Sequence, residues 1–281
     1  MIKITRRHFL RTAGASLGAG AATGLYTWRI EPHRLEIVRR PLDVRGLPPS
    51  LAGRTLAQIS DVHVGTRVSD DYVLAAFRRL ADLRPDIVAF TGDFISHHER
   101  IFEQMPDVYR HFPRGRMATF AILGNHDYGP NWAHPEIAAH VVATVQSFGI
   151  TVLRNQVSEI DGLQVAGLDD LWAEQFELRQ VLTRLDTRRA AIVLSHNPDT
   201  VDLPGWDDYQ GWILAGHTHG GQCKPPFLPP PLLPVRNRRY TAGEFALSGG
   251  RRLYISRGVG HLLQVRFNVR PEVTLFELRS A

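Results

Sequence analysis

The stretch Trp212-Ile213-Leu214-Ala215-Gly216-His217-Thr218-His219-Gly220-Gly221 joins four apolar residues to two histidines set two apart among glycines. The apolar run has the length and character of a buried strand, and the glycines let the backbone turn where that strand stops. Two imidazoles can then be aimed at one point, which is how a metal site is built. A His-x-His pair alone is also common among histidines that are merely hydrogen-bonded. The reading therefore depends on how the other strands end.

They end in the same way. Leu56 to Ile59 runs into Ser60-Asp61-Val62-His63, Ile87 to Phe90 into Thr91-Gly92-Asp93, and Met117 to Leu123 into Gly124-Asn125-His126-Asp127. Ala191 to Leu194 runs into Ser195-His196-Asn197-Pro198. The continuous apolar runs are those of strands covered on both faces, and in open α/β sheets ligands bind in the crevice beyond the carboxyl ends of the strands. Asp, Asn and His without a thiolate suit Mn, Fe or Zn in a reactive site rather than a zinc-thiolate staple. The set Asp61, His63, Asp93, Asn125, His196, His217 and His219, seven side chains, is too many for one tetrahedral ion with an open position. They suit two ions that share one carboxylate.

The intervening segments are helical or edge-like. Leu35 to Val38 reads as an edge strand, and Pro48-Pro49 break the chain. Ser69 is placed as the N-cap of a helix to Leu83, with Tyr72, Val73, Ala76, Phe77 and Leu80 at helical spacing. Further helices are expected over Glu136 to Phe148 and around Phe176 to Leu185, with strands at Thr151 to Leu153, Leu163 to Leu168, Leu253 to Ser256 and Val273 to Glu277. There is no internal repeat and no interdomain linker. The pattern gives an α/β class and one domain, residues 31–281, behind an N-terminal leader.

That leader carries Lys3, Arg6, Arg7, Arg11 and Arg29 and no acidic residue, and Thr12 to Trp28 passes without a charge. Paired arginines before Phe9 and Leu10, followed by an Ala/Gly-rich run, are the pattern of a twin-arginine-type export signal. Ala19-Gly20-Ala21 has the small-x-small form of a cleavage site. The same run, flanked by Tyr26, Trp28 and Arg29, is close to the minimum for a membrane anchor. Residues 1–30 are thus an export signal or an anchor, and the expected location is the periplasm or the outer face of the cytoplasmic membrane. The formal charge of the whole chain is +5, but without the five leader cations basic and acidic residues balance at 28 each. A neutral body argues against general nucleic-acid binding. The single cysteine, Cys223, excludes an intramolecular disulfide.

Between Thr55 and Gly221 the motifs Asp61-x-His63, Gly92-Asp93, Gly124-Asn125-His126-Asp127, His196 and Gly216-His217-Thr218-His219 resemble, in order, the five motifs of the calcineurin-like metallophosphoesterases. The sequence Gly-His-Thr-His-Gly-Gly-Gln ending at Gln222, with the leader, resembles the bacterial YkuE/YaeI-like branch. The resemblance implies two mixed β-sheets packed as a sandwich with flanking helices. It implies that Asp61, His63 and His219 hold one divalent metal and Asn125, His196 and His217 the other, with Asp93 bridging. It also implies that His126 assists the leaving oxygen while Asp127 orients its ring. Two such cations, about 3.5–4 Å apart, serve phosphoester hydrolysis by metal-activated hydroxide. The implied substrate is a cell-envelope or lipid-linked phosphoester, cut by a phosphodiesterase or pyrophosphatase. Alternatives are a phosphomonoesterase, a nucleotide phosphodiesterase and a non-catalytic metal-binding envelope protein. The twin-arginine export machinery is a further implied partner. Purple acid phosphatases place a tyrosine ligand three residues after the bridging aspartate; Ser96 stands there, against a ferric tyrosinate site.

Other polar residues read as ordinary. His97, His98, His111, His134, His140 and His261 are expected at the surface or behind the site, Asp169-Asp170 in a solvated turn, and Cys223 behind the site or on a lid. The run Pro225-Pro226-Phe227-Leu228-Pro229-Pro230-Pro231-Leu232-Leu233-Pro234 is too rich in proline for helix or inner strand. It is expected as a loop packed on its own domain. Its apolar residues, followed by Arg236, Arg238 and Arg239, offer peripheral membrane association as the alternative.

Overall fold

A computed structural model describes residues 5–206 and 209–281. The strands are β1 (Glu36–Val44), β2 (Thr55–Ile59), β3 (Ile87–Thr91), β4 (Ala118–Ile122), β5 (Thr151–Val152) and β6 (Gln156–Ile160). They are followed by β7 (Leu163–Gly167), β8 (Ala191–Leu194), β9 (Trp212–Ala215), β10 (Gly243–Ala246), β11 (Arg252–Ile255) and β12 (Glu272–Ser280). The helices are α1 (Arg6–Leu25), α2 (Asp70–Asp82), α3 (Ile101–Tyr109), α4 (Pro135–Ser147) and α5 (Leu178–Leu182).

The strands form two six-stranded sheets, in the orders β1-β12-β2-β3-β4-β5 and β10-β11-β9-β8-β7-β6. Both are mixed. In the first, β2 to β5 run parallel while β12 lies antiparallel to β2; in the second, β7, β8, β9 and β11 run parallel between antiparallel edges. The expected sandwich is therefore present. Leu56, Ala89 and Ile122 of one sheet meet Val165, Ile192 and Leu214 of the other. Alternate residues Ala57, Val88 and Ala121 face α2, α3 and α4 on the outside. On the second sheet Ala166, Val193 and Ile213 turn outward onto Leu178, Val181 and Trp206. Each large side chain buried in these layers stabilises by about 1.5–3 kcal/mol, and β3, β8 and β9 are buried along their whole length.

Helix α2 buries Val73, Ala76, Phe77 and Leu80, one face at helical spacing. Ser69 occupies its N-cap position, but the hydroxyl accepts no backbone N–H; Asp70 and Asp71 in the first turn complement the helix dipole instead. Helix α3 was not expected, because Pro106 interrupts its sequence, yet it presents Ile101, Met105, Val108 and Tyr109 to the core. The edge strands β6 and β10 also escaped the apolar pattern, since both are largely half-exposed. Asp169 and Asp170 are buried, not a solvated turn: Asp169 accepts the Tyr128 hydroxyl at 2.5 Å and Arg154 Nε at 2.8 Å.

Helix α1 buries none of its residues. No helix among the described residues is long and apolar enough to cross a membrane. The contacts of the body begin before residue 31: Thr27 O accepts Arg266 N at 2.9 Å, and the buried Glu31 accepts Val269 N at 2.7 Å. Residues on both sides of 30/31, Thr27, Trp28 and Glu31, thus hydrogen-bond to residues 264–269.

Candidate metal centre

The carboxyl ends of β2, β3 and β4 from one sheet and of β8 and β9 from the other open onto one crevice. One donor atom from each of Asp61, His63 and His219 lies within 4.8 Å of the other two, and Asp93, His196 and His217 form a second such group. Asp93 Oδ2 links the groups, 3.4 Å from His63 Nε2 and 3.2 Å from His196 Nε2. Across the first group His63 Nε2 and His219 Nε2 face each other at 3.1 Å, and His219 Nε2 is 3.4 Å from Asp61 Oδ1.

Local sequence explains the convergence. Asp61, His63, Asp93, His217 and His219 all have φ between 49° and 70°. For residues other than glycine this left-handed region is sparsely populated, and it persists where the surroundings over-determine it, commonly at functional sites. Glycine makes room beside them. A Cβ on Gly216 would stand 2.0 Å from Ser60 Oγ and 2.4 Å from Asp61 Oδ2, and one on Gly124 would stand 2.3 Å from Asp93 Oδ1.

Hydrogen bonds at the far nitrogens select which face of each ring looks inward. His196 Nδ1 donates to Thr91 O at 2.7 Å, leaving Nε2 as donor atom for a metal. His217 does the reverse: its Nε2 donates to Pro234 O at 2.8 Å, leaving Nδ1, which lies 3.2 Å from His196 Nε2. His63 Nδ1 is 3.1 Å from Ser96 Oγ. Such outer partners fix tautomer and ring orientation in metal sites. Ser96, noted only as the absence of a tyrosine, thus backs a candidate ligand.

Asn125 tests the fit of a metal. Its side chain is buried, and neither Oδ1 nor Nδ2 has a hydrogen-bond partner among the described residues. An amide so placed costs free energy unless something accepts it, and a cation beside the second group satisfies the oxygen. The donor set is carboxylate, amide oxygen and imidazole, with no thiolate, which fits divalent Mn, Zn or Fe.

The electrostatics point the same way. Burial and neighbouring imidazoles hold His63 and His217 down at about 3 and His219 well below the usual histidine value. These rings are neutral at pH 7, the form that binds metal. Burial opposes the charge on His196, but the Asp93 carboxylate, with Asp61 and Asp170, pushes its pKa up to about 10. A proton between His196 Nε2 and Asp93 Oδ2 then occupies the place that suits a cation.

His126 lies half-buried on the wall, its ring edge-on to His63 with centroids 4.9 Å apart and its backbone N–H donating to Asp93 Oδ1 at 2.9 Å. It lines a cavity of about 330 Å³ with Arg67, Ser96 and Trp132. Asp127 is placed otherwise than expected. Its carboxylate accepts the N–H groups of Asp93, Phe94, Ile95 and Gly124 at 2.8–3.1 Å and, among the described residues, makes no hydrogen bond to the His126 ring. It fixes the loop that carries Asp93.

The remaining histidines divide. His97, His111 and His140 are exposed and His98 and His134 half-buried. His261 is buried, held by the Arg67 carbonyl at 3.1 Å, and its pKa is lowered to about 4 by burial. Cys223 is half-buried and its thiol is raised by burial. Trp172, unremarked in the sequence, meets the His217 ring edge-on at 4.4 Å.

The calcineurin-like phosphoesterase family matches residues 54–221, the span that holds all seven candidate ligands. The uncharacterized metallophosphoesterase YkuE of Bacillus subtilis is 32% identical, covering 100% of this chain and 99% of its own. Phosphodiesterase YaeI of Escherichia coli is 32% identical over 98% and 99%. UDP-2,3-diacylglucosamine pyrophosphatase LpxG of Chlamydia trachomatis is 27% identical over 93% and 95%. With the sandwich, the paired ligand groups and these relatives in agreement, the chain belongs to the calcineurin-like phosphoesterases and is a metal-dependent phosphoric ester hydrolase.

Proposed function

We propose that this protein is an exported phosphodiesterase or pyrophosphatase with two metal ions, acting on a lipid-linked phosphoester of the cell envelope. The observation that carries the reading is the single Asp93 Oδ2 placed between His63 Nε2 and His196 Nε2, which ties two ligand groups into one centre. The chemistry that a bound pair of cations supplies is the clamping of phosphate oxygens and a lowered pKa for water. The chain's own part is to hold the donor atoms. Asp61, His63, Asp93 and His219 would hold one ion, and Asp93, Asn125, His196 and His217 the other. His126, on the wall beside His63, is placed to give a proton to the departing oxygen.

Exposed apolar side chains support a lipid-linked substrate. Phe227, Leu228 and Leu232 of the proline-rich loop are exposed, although the loop packs on its own domain through the buried Pro230 and through Pro234, and Leu263, Trp28 and Ile30 are exposed as well. Their segments adjoin: Lys224 N donates to Phe267 O, Gln222 Nε2 to Leu263 O, and Gln264 Nε2 to Trp28 O. The same loop supplies Pro234 O to His217, so this apolar rim borders the centre. A rim of this kind, with Lys224 and Arg29 within it, suits an anionic lipid surface. The basic, fully exposed α1 is consistent with an export signal, and the relative LpxG is named for a lipid-linked pyrophosphate.

The test is metal analysis of natively purified protein, followed by turnover of monoesters, diesters and nucleotide-linked pyrophosphates in detergent. Two ions per chain and a preference for diesters or pyrophosphates are expected. Absence of turnover on every class with Mn, Zn and Fe supplied would overturn the reading.

A further inference from the structure

Beside the ligands stand two tryptophans that none of the five motifs requires. The Trp172 ring meets His217 with planes 89° apart, and the Trp132 ring lies against Trp172 with centroids 4.6 Å apart and a tilt of 36°. Both are half-buried, so each keeps ring surface open. Their placement is held by the fold. Asn131 and Trp132 have φ of 53° and 58°, a conformation that bulky residues rarely adopt. The Asp170 carboxylate accepts the N–H of Trp172 and of Ala173, each at 2.8 Å.

The pair stands between two cavities. Trp132 lines the cavity of about 330 Å³ that contains His126. Both rings line another of about 470 Å³, whose wall includes Glu174, Arg236 and Asn237. The buried Asp199 accepts the backbone N–H of Arg236 at 2.7 Å and of Asn237 at 3.1 Å, pinning the segment that lines this wall.

We infer that Trp132 and Trp172 form a stacking platform for the base of a nucleotide-linked phosphoester, with the polar residues of the wall, Arg236 and Asn237 among them, to meet the polar edge of its base. This names the substrate class of the proposed phosphohydrolase and rests on that reading for the bond that is cut. Rings 4.6 Å apart already touch, so no base enters between them; it lies on the open face of the pair. Stacking on an aromatic face is tolerant of base identity because every base has a π surface. An acyl chain would be served by any large aliphatic residues, whereas this wall sets four charged residues, Glu174, Asp199, Asp202 and Arg236, beside the rings. Trp172 touches a ligand ring, so a group on the platform is a neighbour of a phosphate at the centre, as base and phosphate are in a nucleotide.

The test is equilibrium binding to the full chain, by calorimetry and tryptophan fluorescence, with UMP, ribose 5-phosphate and inorganic phosphate as probes. UMP should bind tighter than ribose 5-phosphate by about tenfold, within the range seen for a base on an aromatic side chain. Trp132→Ala and Trp172→Ala should each remove most of that preference, while Trp172→Phe, with unchanged circular dichroism, should keep most of it. Equal binding of UMP and ribose 5-phosphate would overturn the platform, as would tighter binding of a short-chain lysophosphatidic acid lost in the same variants. A chain that prefers UMP yet hydrolyses no phosphoester refutes the proposed function and leaves the platform standing. Turnover without any preference for a base does the reverse.

Discussion

Asp127 Oδ2 accepts the backbone N–H of Asp93 at 3.1 Å, while Asp93 Oδ2 lies between His63 and His196. The aspartate that links the two ligand groups is thus held by a second aspartate whose oxygens are spent on four N–H groups. Both oxygens accept backbone N–H groups, which favours the carboxylate, while burial and the neighbouring Asp93 charge push its pKa up. In Asp127→Asn one oxygen becomes a donor and at least one of those N–H groups loses its acceptor. Outer partners of this kind are worth about 10–100-fold in metal affinity or activity. Metal content by mass spectrometry should fall at both ions, together with turnover. A variant that keeps two ions and loses turnover alone would instead restore the role of Asp127 in orienting His126.

The ligands themselves should separate by ion. His217→Ala and His219→Ala remove donors from different groups, so each should lower the metal content towards one ion per chain. His126→Ala removes no member of either group and should leave two ions, with turnover reduced by about 10²–10⁴, the range for a positioned general acid. Unchanged turnover in His126→Ala would exclude it from the chemistry. Loss of metal there would make it a ligand.

These residues were legible because a strand buried on both faces has one place to put chemistry, its carboxyl end, and five such ends carried Asp, Asn or His. What supports them was less so. Thr91 O and Pro234 O choose the tautomers of His196 and His217, but a backbone carbonyl has no signature in sequence. Asp127 follows His126 in the chain and reads as its neighbour, whereas the turn at residues 125–128 carries its carboxylate back to the Asp93 loop. Asp169-Asp170 looked solvated because a pair of acids ends a strand. Tyr128 and Arg154, distant in sequence, bury one of them, and the backbone of Trp172 and Ala173 holds the other. Helix α3 was hidden by Pro106, and the edge strands β6 and β10 by their polar faces. Each miss is a case in which tertiary partners outweigh local pattern.

The pH dependence of the metal-stripped protein follows from the same histidines. His63 and His217, held at about 3, bind fewer protons folded than unfolded between pH 3 and 6.5. Their contribution to stability is present above pH 6.5 and is lost as the pH falls towards 3, and that of His219 is lost in the same direction. His196, raised to about 10, acts oppositely: its contribution is full below pH 6.5 and is lost between 6.5 and 10. On the acid side Asp61, raised to about 7, Asp170, raised to about 6, and Asp127 oppose these rings, because their contributions grow as the pH falls, whereas His261, held at about 4, adds to the loss. Four lowered histidines against three raised carboxyls leave a net fall in the melting temperature after chelation from pH 6.5 to 4. A melting temperature that rises steadily from pH 7 to pH 5 would contradict these protonation states.

The last prediction concerns where the hydrolase begins. Glu31 is 2% exposed, and its Oε1 accepts the N–H of Val269, itself buried. Between them the Arg266 N–H is held by Thr27 O, and the fully buried Arg266 guanidinium donates to the carbonyls of Arg257, Gly260 and Val269 beside the candidate ligand His219. Removal of residues 1–25 takes away a helix that buries nothing and should leave the melting temperature within a degree or two. Glu31→Ala leaves a buried N–H without its acceptor, a loss of about 1–3 kcal/mol. Deletion of residues 1–33 adds the loss of the Thr27 bond and should cost at least as much. Denaturant unfolding of the three variants separates the outcomes. Equal stability of all three would return the boundary to residue 31 or beyond, whereas a large loss on removing residues 1–25 alone would make α1 part of the folded body.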